Sequence, residues 1–372
     1  MYFKISKKEF LDNLSIVSRA ISINSPLPSL QGIKLNVRED RLLLTASDMD
    51  ISIQATIEKN ENNNLVIEET GDIILDSKYI VDMIRKIDAE TVEVETVDGL
   101  LMKISGEVVN FELNGISSDN YPLLDFSKPD EKFIINADLL KEIVSQTCFA
   151  TSDKETRPVL TGVNMHYENN KLTCVATDTY RLSQKELFMD EEHNFNITVP
   201  AKTLNEAAKI ISSGKDVEIA VSDKKILFDL GNIIIQTRLI DSAYPDTARL
   251  IQPSFDYELV VDARSILNAI DRASFIKNDD GVSIIRMEIN EDEVIVTSKA
   301  SEVESVEKIV PISYEGNKLT ISFKGSYVYE AVRALNSFQI KMKFNGEMKP
   351  FILTSTDDSG VLELVSPIRT FA

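Results

Sequence analysis

Phe3-Lys4-Ile5-Ser6, Phe133-Ile134-Ile135-Asn136 and Leu259-Val260-Val261-Asp262 are one phrase written three times, 130 and then 126 residues apart. Each is a strand signal ending on a small polar residue suited to a helix N-cap. Each runs into apolar residues at helical spacing: Phe10, Leu14, Val17 and Ile21; then Leu140, Val144 and Thr147; then Ile266, Ile270 and Ala273. Ser6 with Glu9 predicts a capping box at the first of these helices.

A second phrase lies inside each repeat. Leu75-Asp76-Ser77-Lys78 precedes Ile80, Ile84 and Ile87; Val199-Pro200-Ala201-Lys202 precedes Leu204, Ala208 and Ile211; Phe323-Lys324-Gly325-Ser326 precedes Val328, Val332 and Leu335. These copies are 124 and 124 residues apart, and an alternating strand follows each, as in Val92, Val94 and Thr96. Tyr121-Pro122 and Tyr244-Pro245 close the first two repeats. The matched order predicts three homologous domains, at 1–127, 128–253 and 254–372. Few helices among many strands give an α+β class, each domain carrying two helices on one face of antiparallel sheets. The polar run from Glu58 to Asn64 reads as a solvated hairpin tip.

Composition narrows the function. The 372 residues are 43% apolar with only 13 Gly and 11 Pro, enough for real cores and too few breakers for a disordered chain. No apolar run approaches the roughly 20 residues of a membrane-spanning helix. The opening Met1-Tyr2-Phe3-Lys4-Ile5 reads as a strand rather than a signal peptide, so a cytoplasmic protein without a membrane partner is expected. Cys148 and Cys174 are the only cysteines, and both are expected reduced.

The net charge is −20, which argues against bulk electrostatic binding to nucleic acid. Its distribution argues otherwise. The six helical segments carry a net +4, leaving −24 for the rest of the chain. Helices sharing one surface would make it mildly positive, although Lys and Arg also solvate helices for no further reason. No phosphate-binding glycine loop, nucleophile elbow or zinc ligand set is present, and His166 and His193 lack a Ser/Asp partner pattern. No catalytic residue, metal ligand or cofactor is therefore assigned. The rival reading is a metal-dependent phosphoryl-transfer enzyme using the carboxylates Asp48, Asp178 and Asp357. The pairs Asp48/Asp50, Asp279/Asp280 and Asp357/Asp358 sit in turn-like segments, where Asp commonly binds its own backbone.

Val175-Ala176-Thr177-Asp178-Thr179-Tyr180-Arg181-Leu182-Ser183 resembles the A-T-D-x-[HY]-R-L segment of bacterial sliding clamps, the beta subunit of DNA polymerase III. Leu27-Pro28, the run Thr156-Arg157-Pro158-Val159-Leu160-Thr161-Gly162-Val163, Ala243-Tyr244-Pro245-Asp246 and Pro367-Ile368-Arg369-Thr370 match along the whole length. The resemblance implies the DNA clamp fold and a head-to-tail homodimer closed into a ring. Twelve helices spaced about 8–10 Å apart would leave an opening of about 25 Å, wide enough for a duplex. It implies no enzymatic activity. The implied partners are duplex DNA held without sequence preference, the alpha-type subunit of the replicative polymerase, a clamp loader ATPase and other proteins with clamp-binding motifs.

The resemblance also distributes roles. A partner-peptide groove maps onto Thr177, Thr179, Tyr180, Arg181 and Leu182, then Pro245, Arg249 and Leu250, then Met348 and Pro350, and finally Leu364, Val365, Ser366, Pro367, Ile368 and Arg369. From the residues alone, Leu182, Leu250 and Leu364 read as ordinary core. Ser366 stands where members usually have Met or Leu, and Asn24 where some have a DNA-contacting Arg. The DNA-facing set is Arg19, Asn24, Lys78, Arg85, Lys86, Lys141, Arg157, Lys202, Lys209, Arg264, Arg272, Lys324 and Arg333. Phe111, Phe275 and Ile276 would seal the dimer.

Overall fold

The computed structural model describes residues 1–278, 280–300 and 303–369; Asp279 and Thr370, named above, lie outside them. Among the described residues there are six α-helices: α1 (Lys7–Val17), α2 (Ser77–Lys86), α3 (Ala137–Thr147), α4 (Ala201–Ile210), α5 (Ala263–Ser274) and α6 (Gly325–Leu335). Each follows a strand directly, as the repeated phrases require. The caps are real but not uniform. Asp76 Oδ1 accepts from the Lys78 and Tyr79 amides, Asn136 from Asp138, and Asp262 from Ser265. Ser6 is the exception. Its side chain makes no cap bond, and the Glu9 carboxylate instead accepts from Asn13 Nδ2 at 3.2 Å, so the expected capping box does not form.

The strands of the described residues build four antiparallel sheets. In the first, the strands Val66–Glu69, Tyr2–Ser6, Thr91–Asp98, Leu101–Ser105 and Asn110–Asn114 lie in that order. In the last, the order is Glu304–Ile309, Val294–Lys299, Ile284–Ile289 and Leu319–Lys324. The two middle sheets are composite. An eight-stranded sheet joins Ile51–Glu58 of the first repeat to Ile233–Arg238 of the second, with Ile51 opposite Thr237 and Ala55 opposite Ile233. A nine-stranded sheet joins Arg181–Phe188 of the second repeat to Val361–Val365 of the third, with Arg181 opposite Val365 and Lys185 opposite Val361.

Packing therefore divides the chain differently from the repeats. One compact unit is residues 1–138 with 205–239, and the other is 139–204 with 240–372, so the middle repeat contributes to both. In the first unit, α1 buries Phe10, Leu14 and Val17, and Phe10 meets Phe3 edge to face at 5.6 Å. In the second, Ile266, Ile270 and Ala273 of α5 enter a core with Val328, Val332 and Leu335 of α6. The run from Glu58 to Asn64 is not a simply solvated tip. Asn63 is buried, its Nδ2 donates to Glu58 O at 2.7 Å, and its backbone oxygen accepts from the Ser6 amide. Cys148 and Cys174 are free and buried, and burial pushes the Cys148 thiol up to about 12.

Candidate functional site

The resemblance-carrying segment is a tight turn between the strands Lys171–Thr177 and Arg181–Phe188. Asp178 builds it: Oδ1 accepts from the Tyr180 and Arg181 amides at 2.9 and 3.0 Å. The Thr179 amide donates to Thr177 Oγ1, and Thr179 takes a left-handed φ of 81°. A non-glycine residue there is uncommon and marks a turn whose shape is imposed by its neighbours.

The turn fixes one exposed ring, one covered guanidinium and one buried floor. Tyr180 is 61% exposed and stacks on Tyr327. Arg181, by contrast, is largely covered. It pairs with Asp178 and Glu330, and its guanidinium lies over the rings of Phe149 and Tyr327 at 5.2 and 4.7 Å. Such a guanidinium is held in one orientation. Leu182 and Leu364 stand opposite each other and form a small apolar cluster with Val175 and Ile352, edged by Tyr244, Phe255 and Leu362. Leu250 and Met348 are about half exposed, Pro245 is exposed, and Arg249 is exposed and paired with Asp246. Pro350 is half-buried, whereas Thr177 and Val365 are buried. The tail follows the turn: the Ser366 amide donates to Tyr180 O at 2.8 Å and the Ile368 amide to Ser322 O at 2.7 Å. Ser366, Pro367 and Ile368 are half-buried and Arg369 is exposed. The arrangement is a shallow apolar floor with polar backbone at its rim, suited to an extended peptide.

The opposite face of the same strands is buried and sets polar residues beside Val361 and Val365. Lys185 donates to Glu142 and Asp358 at 2.7 and 2.6 Å; burial opposes its charge, but the two carboxylates outweigh that and hold it above its ordinary value. Next to it, the Ser183 hydroxyl lies within bonding distance of both Gln146 O and Glu363 Oε1. A hydroxyl has one proton to give. Donation to the carbonyl leaves the Glu363 contact to be made by a proton on Glu363. Burial pushes that carboxyl well above the usual range in the same direction, against the weaker pull of the Arg181 charge.

The cationic residues lie mostly on or beside helices. Lys78, Arg85 and Lys86 are exposed on α2, Lys202 and Lys209 on α4, Arg264 and Arg272 on α5, and Arg333 on α6. Lys141 is half-buried on α3; Arg157 and Asn24 are exposed in loops. Several are partnered within the chain. Arg19 and Lys209 share Glu206, Arg85 meets Asp82, and Arg272 meets Glu307. Lys324 lies over the Tyr327 ring at 4.4 Å and Arg333 over Tyr329 at 5.9 Å. Of the apolar trio expected at a dimer seam, Phe275 is 69% exposed, Phe111 is half-buried, and Ile276 is buried within its own unit.

Three profiles of one family match the chain in succession: the N-terminal, central and C-terminal domains of the DNA polymerase III beta subunit, over residues 1–125, 134–246 and 248–369. The beta sliding clamp of Staphylococcus epidermidis is 37% identical over 376 aligned residues, covering 100% of both chains. That of Staphylococcus aureus is 36% identical with the same coverage. The chain belongs to the beta sliding clamp family. The solved sliding clamp of Bacillus subtilis superposes with a TM-score of 0.96 at 33% identity, covering 100% of both chains. The beta chain of Streptococcus pneumoniae gives 0.95 at 30%, covering 99% of this chain and 100% of that one. The chain is thus a DNA polymerase processivity clamp and a non-catalytic polymerase III subunit.

The rival enzyme reading finds no support. Asp48 Oδ1 accepts from the Asp50 and Ile51 amides, Asp178 is spent on its own turn, and Asp357 accepts from Ser337. Among the described residues no three His, Cys, Asp or Glu side chains cluster as metal ligands, and no helix is long and apolar enough to cross a membrane. Sequence reasoning missed the clamp's Phe149, Tyr327 and Glu330, which fix Arg181, and the Ser183–Glu363 pair. Only the tyrosines of α6 hinted at Tyr327; nothing local signalled Phe149, Glu330 or the Ser183–Glu363 pair.

Proposed function

We propose that two copies of this clamp close head to tail around duplex DNA and tether the replicative polymerase through the groove over Leu182 and Leu364. The observation that carries the ring is a pair of unused sheet edges. The first composite joint uses the last strand of the first repeat's opening sheet half, Ile51–Glu58, and the last strand of the second repeat, Ile233–Arg238. The second joint uses the equivalent strands one repeat on, Arg181–Phe188 and Val361–Val365. Advancing the rule once more leaves Glu304–Ile309 and Asn110–Asn114, each at the edge of its sheet. A single chain has both, so two copies satisfy both in a closed, heterologous pairing. Phe275, Phe111 and the exposed Val306 supply apolar cover; Ile276 acts from beneath.

The domains follow the repeats, at 1–127, 128–253 and 254–372. The cations named above form a diffuse field rather than a grip, since each neutralised phosphate would steepen the salt dependence and slow sliding. A clamp loader ATPase opens the ring, because the sequence carries no nucleotide motif. The polymerase alpha-type subunit and other clamp-binding proteins dock in the groove, in the cytoplasm on chromosomal DNA. The test is topological. Loaded rings should remain on circular DNA in high salt and slide off the same DNA once linearised. The Phe275→Glu, Val306→Glu variant should sediment as a folded monomer and be lost from both. Equal retention of the unaltered protein on circles and linear DNA would remove encirclement.

A further inference from the structure

The first composite joint repeats the backbone frame of the second. Met49 has a left-handed φ of 80°, against 81° at Thr179. Asp48 Oδ1 accepts from the amides two and three residues on, at 3.1 and 2.9 Å, as Asp178 does. The Met49 amide donates to Ser47 Oγ as Thr179 donates to Thr177. Tyr121 is buried where the second joint has Tyr244, and Thr237 faces Ile51 where Val365 faces Arg181. Over this frame lies a cavity of about 250 Å³, lined among others by Met49, Leu123, Gln236 and Arg238.

We propose that this cavity is a second docking site, for an extended peptide that carries a carboxylate beside a large apolar side chain. Leu123 is fully exposed and Met49 partly so, giving an apolar rim. Lys225 is held by Asp125 at 3.2 Å, so these two charges cancel. Arg238 is exposed and its guanidinium makes no ion pair among the described residues, which leaves it for an incoming carboxylate. Gln236 lines the floor, is more than nine-tenths buried, and its Oε1 has no hydrogen-bond partner, an acceptor left open just beneath the cavity surface. With Lys225 and Asp125 paired, Asp50 at the same rim disfavours a polyanion such as a phosphate backbone, whereas a single carboxylate can be placed against Arg238. The site borrows its frame, not its chemistry, from the groove proposed above.

The chain has no Trp, so a single introduced one reports its own site. Leu123→Trp reports the cavity and Leu250→Trp the other groove, each in the full-length chain. The probe is the peptide acetyl-Ala-Asp-Leu-Phe-Ala-amide, with its Asp-to-Asn form as control. Emission from Leu123→Trp should change saturably with the Asp peptide. The apparent affinity should fall at least about fivefold with the Asn peptide, and again when Arg238→Ala is added. No saturable change in Leu123→Trp, or equal binding of the two peptides there, would overturn the proposal. A silent Leu250→Trp would count only against the groove proposed for the polymerase.

Discussion

The two composite joints share a backbone and reverse their chemistry. In the second, the groove face carries Leu182 and Leu364, and the opposite face carries Arg181, Ser183, Lys185 and Glu363. In the first, the groove face carries Ser52 and Gln236, and the opposite face carries Ile51, Ile53, Ala55 and Ile235. Both joints are sealed, since these strand residues are buried in each case apart from a sliver of Arg181. A joint can thus be closed with polar residues toward the groove. Leu182 and Leu364 are not demanded by sheet continuity, which favours a binding role for the apolar floor over a purely structural one.

The largest expected effect comes from forcing one joint to copy the other. Ile235 is fully buried opposite Ile53, in the place that Glu363 takes opposite Ser183. Ile235→Glu buries a carboxyl without the Ser183 hydroxyl or the Gln146 carbonyl behind it. The cost should be roughly 3–5 kcal/mol, read by chemical denaturation. A loss below about 1 kcal/mol would mean that the first joint accepts the polar pair and that the two faces are interchangeable.

Much of this comparison was legible in the sequence, and part was not. The repeated phrases placed all six helices, and Asp48 read correctly as a turn former. The joints themselves were hidden. Which strand edge meets which is a long-range choice, and Ile233-Ile234-Ile235 reads the same beside any apolar neighbour. The capping box failed because Glu9 takes the Asn13 amide group, and the Ser6 backbone amide it would have bonded is given to Asn63 O instead. Asn63 looked like one polar residue among many, yet its burial depends on the Ser6 amide 57 positions away. The groove residues came from resemblance alone, because a buried Leu carries no mark of what else it touches.

The tail gives a middle-sized effect that separates the joints functionally. Removing Pro367 to Ala372 keeps the Val361–Val365 strand and its pairing with Arg181–Lys185. It takes away Ile368, half-buried beside the groove. Loss of such an anchor from the bound peptide should cost about 1.5–3 kcal/mol, at least tenfold in affinity. A Gln-x-x-Leu-Phe-type peptide should therefore bind the truncated clamp at least about tenfold more weakly in calorimetry, with Tm nearly unchanged. Unaltered affinity would move the partner site away from the second joint. The first joint's Leu123→Trp signal should not respond to the truncation.

The smallest effect is the most diagnostic of the polar face. Burial raises the Glu363 carboxyl above its unfolded value of 4.5, so the folded state holds that proton more tightly than the unfolded chain. The stability this lends is complete below about pH 4.5 and is lost as pH rises through the folded value. Gln keeps the shape, can donate to Ser183 Oγ, and cannot ionise. Glu363→Gln should therefore match the unaltered protein near pH 4.5 and become the more stable of the two as pH increases, by at most about 1.4 kcal/mol per pH unit within that window. Outside the window the difference should be flat. The comparison is made by denaturant titration of both proteins across the pH series. A constant difference at every pH, or a Gln variant that loses ground as pH rises, would mean that Glu363 is ionised at the joint and that Ser183 donates to it rather than to Gln146. The first joint has no equivalent group, since Ile235 occupies the position, so the effect belongs to the second joint alone.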